Sequence, residues 1–73
     1  MVTEMIDRFI PQIEAAQTQG AVVLLKWDGE RPNVRGTVVI TRQDTDYVWR
    51  KDCDDVAAGL AEALHDYEAK HAL

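Results

Sequence analysis

Apolar residues recur with two different periods along this chain of 73 residues. Within residues 3–19 they return at spacings of three and four, which is typical of a helix with one apolar face. Thr3 is the predicted N-cap, and Gly20 is predicted to end the helix because glycine accepts the left-handed backbone found at helix ends. Pro11 lies inside the pattern, so either the helix kinks there or its regular part starts close to Asp7.

After Gly20 the period changes to two, the period of β-strands. Residues 21–28 (AVVLLKWD) predict a first strand, 34–42 (VRGTVVITR) a second and 46–51 (DYVWRK) a third. The connecting segments GERPN and QDTD are rich in turn-forming residues. Three consecutive strands with short links predict an antiparallel meander.

Residues 54–71 again show a helical stripe of apolar positions. Gly59 lies among several alanines there, so this helix is expected to approach the sheet, or a second copy of itself, closely. The chain is long enough for one domain only, residues 1–73. The order helix, strand, strand, strand, helix predicts an α+β fold: a two-layer sandwich with both helices on one face of a three-stranded sheet.

Covering one face of the sheet leaves the other face open. The alternation predicts that the open face carries Arg35, Thr37, Val39, Thr41, Val48 and Arg50, together with one side of the first strand. Adding Lys26 and Arg42 gives the candidate binding residues: Lys26, Arg35, Thr37, Val39, Thr41, Arg42, Val48 and Arg50. The first strand is apolar on both sides, with Val22 and Leu24 opposing Val23, Leu25 and Trp27. Such a strand must be covered on both sides, and if it lies at the edge of the sheet, a second chain is a natural cover.

Charge is distributed unevenly along the chain. Nine of the thirteen acidic residues fall in the predicted helices or their caps, whereas six of the eight basic residues fall in the strand block: Lys26, Arg31, Arg35, Arg42, Arg50 and Lys51. A mildly basic open sheet face opposite an acidic helical layer is therefore expected. The net charge of -5 argues against general binding to phosphate backbones or anionic membranes.

The stretch KDCDD, residues 51–55, holds the only cysteine. The sequence favours a helix start here, with Asp52 as N-cap and Asp55 at the third helical position. The surrounding carboxylates oppose a reactive thiolate at Cys53. A calcium loop is not indicated, and His65 and His71 are spaced by six residues, whereas two metal ligands on one helix face need three or four. We therefore predict no metal, no cofactor and no catalytic site, and expect both Trp27 and Trp49 in the core.

The element order is similar to that of the double-stranded-RNA-binding domain. That family holds phosphates with lysines at the start of its last helix, and the matching segment here, DCDDVAAG, is acidic and would repel them. The resemblance is therefore one of topology only.

The leading hypothesis is a small cytoplasmic interaction or accessory protein that binds another protein or a second copy of itself. No membrane segment is predicted, and the N-terminus MVTEMIDRF does not resemble a secretory signal. The alternative is a binder of nucleic acid or acidic ligands that uses Lys26, Arg35, Arg42 and Arg50.

Overall fold

The computed structural model describes residues 6–30 and 35–71. The predicted order and the α+β class are confirmed. A 3₁₀ turn, Ile6–Phe9, leads into helix α1, Ile10–Thr18. The strands are β1, Ala21–Trp27; β2, Gly36–Arg42; and β3, Tyr47–Cys53, with a second 3₁₀ turn, Gln43–Thr45, between β2 and β3. Helix α2, Val56–His71, follows.

Proline sets where the first helix becomes regular. Pro11 occupies the first turn of α1, where its missing N–H is not needed by the helix. Residues Ile6–Phe9, which precede α1, form the 3₁₀ turn instead of an α-helix. Gly20 ends the element with φ of 100°, as predicted, and its N–H donates to the carbonyl of Gln17 at 2.9 Å. The predicted N-cap Thr3 lies outside the described residues.

The sheet is the predicted antiparallel meander, with β2 in the centre. Val38 of β2 pairs with Leu25 of β1, and Ile40 of β2 pairs with Trp49 of β3. Both helices pack on one face of the sheet, because residues from α1, α2 and this sheet face share a single core. The buried apolar residues of that core are Phe9, Ala16, Ala21, Val38, Ile40, Val56, Leu60, Ala63, Leu64 and Tyr67.

Helix α2 lies very close to the sheet at Gly59, as the sequence predicts. A Cβ atom at this position would lie 2.6 Å from the Cys53 sulfur and 3.3 Å from Cγ2 of Val38. The closeness of the layers therefore depends on a position without a side chain, which offsets the low helix propensity of glycine.

The start of α2 differs from the prediction. Asp55, not Asp52, caps the helix: its Oδ1 accepts the N–H of Ala57 at 3.0 Å and of Ala58 at 3.4 Å. Asp52 belongs to β3, where it pairs with Thr37. Pairing with β2 thus extends the strand through Cys53 and moves the helix start three residues along the chain.

Replacing Asp55 by alanine is expected to lower the free energy of unfolding by about 1 kcal/mol, because two N–H groups of the first turn lose their acceptor. Urea unfolding followed by circular dichroism measures this. Asp54→Ala is the matched control, since it removes the same charge from the neighbouring position. If both variants lost the same free energy of unfolding, the effect would come from the negative charge near the helix end, and the role of Asp55 as the cap would be contradicted.

The two tryptophans have different environments. Trp49 is half-buried and packs against the core, in line with the prediction. Trp27 is 62 % exposed, so its predicted burial is wrong. Its partner in the sheet register is Gly36, which offers no side chain for the indole ring to pack against.

Candidate binding surface on the open sheet face

The sheet face turned away from the helices carries nine side chains in three cross-strand rows, and we call it the open sheet face. Strand register and alternation define the rows. The first row is Val22, Thr41 and Val48; the second is Leu24, Val39 and Arg50; the third is Lys26, Thr37 and Asp52.

The first and second rows contain the most exposed apolar side chains of the open sheet face. Val48 is 71 % exposed, Val22 is 62 % exposed and Leu24 is 56 % exposed. Val39 is half-buried between Leu24 and Arg50. Because these residues occupy neighbouring strands and adjacent rows, they form one apolar surface rather than scattered single residues. Contiguous exposed apolar surface is typical of sites that bind proteins.

The third row and the neighbouring Arg50 of the second row supply charge of both signs. Lys26 Nζ lies 3.7 Å from Oδ2 of Asp28, and Arg50 Nη2 lies 3.4 Å from Oδ1 of Asp52. The same Oδ1 accepts the hydroxyl of Thr37 at 2.8 Å, and Thr37 itself is buried. Both cations therefore have an acidic neighbour within the chain. The predicted basic face is a surface of mixed charge.

The structure brings six of the eight candidate residues together on the open sheet face: Lys26, Thr37, Val39, Thr41, Val48 and Arg50. Arg35 is exposed and directly precedes β2, and its carbonyl accepts the N–H of Asp28 at 2.8 Å. Arg42 lies on the opposite face. The candidate set omitted Val22, Leu24 and Asp52. The first two follow from the alternation of β1, whereas Asp52 requires knowledge of the β2–β3 register.

Arg42 is held in a network at one end of the helix layer. Its guanidinium forms two hydrogen bonds to the Asp44 carboxylate, at 2.8 and 3.1 Å, and donates to the Tyr67 hydroxyl at 3.1 Å and to Oε1 of Gln19 at 3.2 Å. Tyr67, which is fully buried, donates its own hydroxyl to Gln19 at 2.8 Å. The hydrogen bond from Arg42 holds the pKa of Asp44 below its ordinary value. Arg42 therefore joins structural elements and is withdrawn from the candidate surface.

Three rings extend this network. Tyr67 and His71 are stacked with centroids 4.1 Å apart, and Tyr47 packs edge-on against both rings. The Tyr47 hydroxyl donates to Oδ2 of Asp66 at 2.6 Å. Burial, reinforced by this carboxylate, raises the pKa of Tyr47, and the hydrogen bond lowers the pKa of Asp66. These polar groups bind one another, which is the pattern of a structural cluster.

Cys53 is half-buried beneath α2. Burial raises the pKa of its thiol, and the charges of Asp52, Asp55 and Asp54 act in the same direction, while Lys51 acts against them. The thiol lies 3.8 Å from the carbonyl of Gly36. The environment thus favours the thiol over the thiolate that a nucleophile requires.

Within the part of the chain that the structure describes, no group of three or more His, Cys, Asp or Glu residues could hold a metal ion. Nor does any helix in residues 6–30 and 35–71 have the length and apolar character needed to cross a bilayer. Comparison with protein families, curated proteins and solved structures gives no match for this chain. Its function is therefore inferred from the surface itself.

Proposed function

We propose that this chain is a small, non-catalytic interaction module of the cytoplasm that binds a protein through the open sheet face. The exposure of Val22, Leu24 and Val48 on one side of the sheet is the observation that supports it. Covering apolar surface contributes about 25 cal/mol per Å² removed from water. A sheet whose strands are already paired loses little conformational freedom on binding, which favours affinity further.

The shape and charge of the surface favour a protein over other ligands. Small-molecule sites are concave, whereas this surface is one side of a three-stranded sheet. Nucleic acid rewards clustered cations, but Lys26 and Arg50 share the face with Asp52, and Arg42 points away from it. A half-buried thiol is compatible with the reducing cytoplasm.

Replacing Val48 by aspartate is expected to abolish partner binding, because a carboxylate would then be desolvated within the apolar contact. The measurement is affinity capture of the tagged chain from its host's lysate, with and without nuclease. The expected result is a captured protein that resists nuclease and is lost with Val48→Asp.

Ala15→Asp is the matched control, since it adds the same charge at an exposed position of α1. Circular dichroism establishes that both variants are folded. Capture retained by both variants would exclude the open sheet face as the binding surface. Recovery of nucleic acid that disappears with nuclease and falls steeply with salt would instead support the alternative binder through Lys26, Arg35 and Arg50.

A further inference from the structure

We propose that the occupant of the open sheet face is a second copy of this chain, related to the first by a two-fold axis parallel to β2. This inference rests on the proposed function, because it specifies the protein that covers the same face. The support for it is that, after this rotation, apolar and charged side chains of one copy face complementary side chains of the other.

A two-fold axis along β2 places β1 of one copy against β3 of the other. Each row of side chains then faces the same row of the second copy. In the first row, Val22 then faces Val48 of the second copy, so apolar side chains meet. In the third row, Lys26 faces Asp52 of the second copy, so opposite charges meet twice across the axis. In the second row, Leu24 faces the Arg50 side chain, whose aliphatic stem can pack on it while its charge stays near solvent.

The other two-fold axis that keeps the strands of the two sheets aligned, perpendicular to the strands, is less complementary. It would place Leu24 against Leu24, but also Arg50 against Arg50 and Val48 against Asp52 of the second copy. Like charges in contact and an apolar group against a short carboxylate both cost binding free energy, and no pair of opposite charges meets. The register therefore selects the axis parallel to β2. Face-packed sheets whose strands are aligned within about 30° are a common arrangement.

The size of the face sets the expected strength of the dimer. Three strands about 4.8 Å apart and seven residues long, at about 3.3 Å per residue, present roughly 300 Å² on each copy. Stable interfaces bury about 800 Å² on each partner. Association is accordingly expected to depend on concentration and to appear clearly only at high concentration, with folded monomers on dilution.

Charge exchange tests the facing pair of Lys26 and Asp52. In sedimentation equilibrium at high protein concentration, the native chain is expected to show a monomer–dimer equilibrium. Lys26→Glu and Asp52→Lys are each expected to weaken self-association at least about tenfold, because each places two like-charged pairs across the axis. An equimolar mixture of the two variants is expected to restore dimers, since opposite charges then face each other in both pairs between positions 26 and 52.

Restoration in the mixture would establish the pairing, since the perpendicular axis does not bring positions 26 and 52 together. A mixture that stays monomeric, or single variants that dimerise like the native chain, would overturn the proposal. Circular dichroism of each variant monitors folding, because Asp52 also accepts the Thr37 hydroxyl.

A cross-link provides a second measurement that does not depend on the Asp52 variant. Val22→Cys mixed with Val48→Cys is expected to form a disulfide between positions 22 and 48 under mild oxidation, identified by mass spectrometry. Each variant alone and the native chain, which retains Cys53, are the controls. A cross-link at 22–22 or 48–48, or none at all, would contradict the axis.

The two proposals fail in different ways. A mass that stays monomeric at all concentrations, with capture of another protein that Val48→Asp abolishes, would overturn the homodimer and retain the proposed function. Dimers that persist in Val48→Asp with unchanged affinity would overturn the homodimer on this face, and only capture that this variant also retains would exclude the open sheet face from both proposals.

Discussion

Replacing Gly36 by alanine is expected to lower the free energy of unfolding by about 3 kcal/mol, the upper range for overpacking a close contact. A Cβ atom at Gly36 would overlap both the backbone oxygen of Lys26 and Cγ2 of Val56. The first of these atoms is backbone held in the β1–β2 ladder, so strand and helix would both have to move. A domain of this length has roughly 3 to 5 kcal/mol of stability in total. The variant is therefore expected to retain only about 0 to 2 kcal/mol of stability.

Gly29→Ala is the matched control for this substitution. A Cβ atom at Gly29 would meet no other atom within 4 Å. Urea unfolding followed by tryptophan fluorescence is expected to show a large loss for Gly36→Ala and little change for Gly29→Ala. A loss below about 1 kcal/mol at Gly36, the lower end for overpacking, would show that the start of α2 can shift away from the sheet at little cost.

Replacing Tyr67 by phenylalanine is expected to lower the free energy of unfolding by about 2 kcal/mol, because the buried hydroxyl joins two hydrogen bonds. It accepts from Arg42 at 3.1 Å and donates to Gln19 at 2.8 Å. The ring and its stacking on His71 remain in the variant. The loss therefore reports the hydrogen bonds that connect α1, β2 and α2, and not the packing of the core.

Tyr47→Phe provides the comparison, since it also removes one tyrosine hydroxyl. Its partner Asp66 is partly exposed and also interacts with Lys70 at 3.3 Å, so water can replace the lost bond. Chemical unfolding of both variants is expected to show a smaller loss, below about 1 kcal/mol, for Tyr47→Phe. A larger loss at Tyr47 than at Tyr67 would contradict the importance of the buried network.

Alternation along each strand was sufficient to predict which side chains face the helices. Val38 and Ile40 point into the core, whereas Val39 and Thr41 lie on the open sheet face. Successive side chains of a strand point to opposite faces, so even and odd positions of β2 separate. The same parity places Arg42 with Ile40, on the helix side. Its assignment to the open face grouped residues by charge and was wrong for that reason.

Features that depend on partners distant in sequence could not be predicted. β3 continues through Asp52 and Cys53 because they pair with Thr37 and Gly36, and the helix cap moves to Asp55 as a result. The hydrogen bonds of Tyr67 to Gln19 and to Arg42 join residues 48 and 25 positions apart in the sequence. Local sequence patterns cannot predict contacts at such separations. The pairing of the open-face cations with acids likewise depends on register. Such contacts arise only once the chain has folded.

The strand order of this sheet has a kinetic consequence. Neighbouring strands are also consecutive in sequence, and β2 and β3 are joined by only the short segment Gln43–Asp46. The entropy lost on closing a loop rises with the length of the loop. Among the strand pairs, the β2–β3 hairpin therefore loses the least chain entropy when it forms, and folding can begin there. Strand β1 and the two helices can then add to an existing template without threading or crossing. A short hairpin forms within microseconds, which shortens the time for which the apolar residues of these two strands are exposed to other chains.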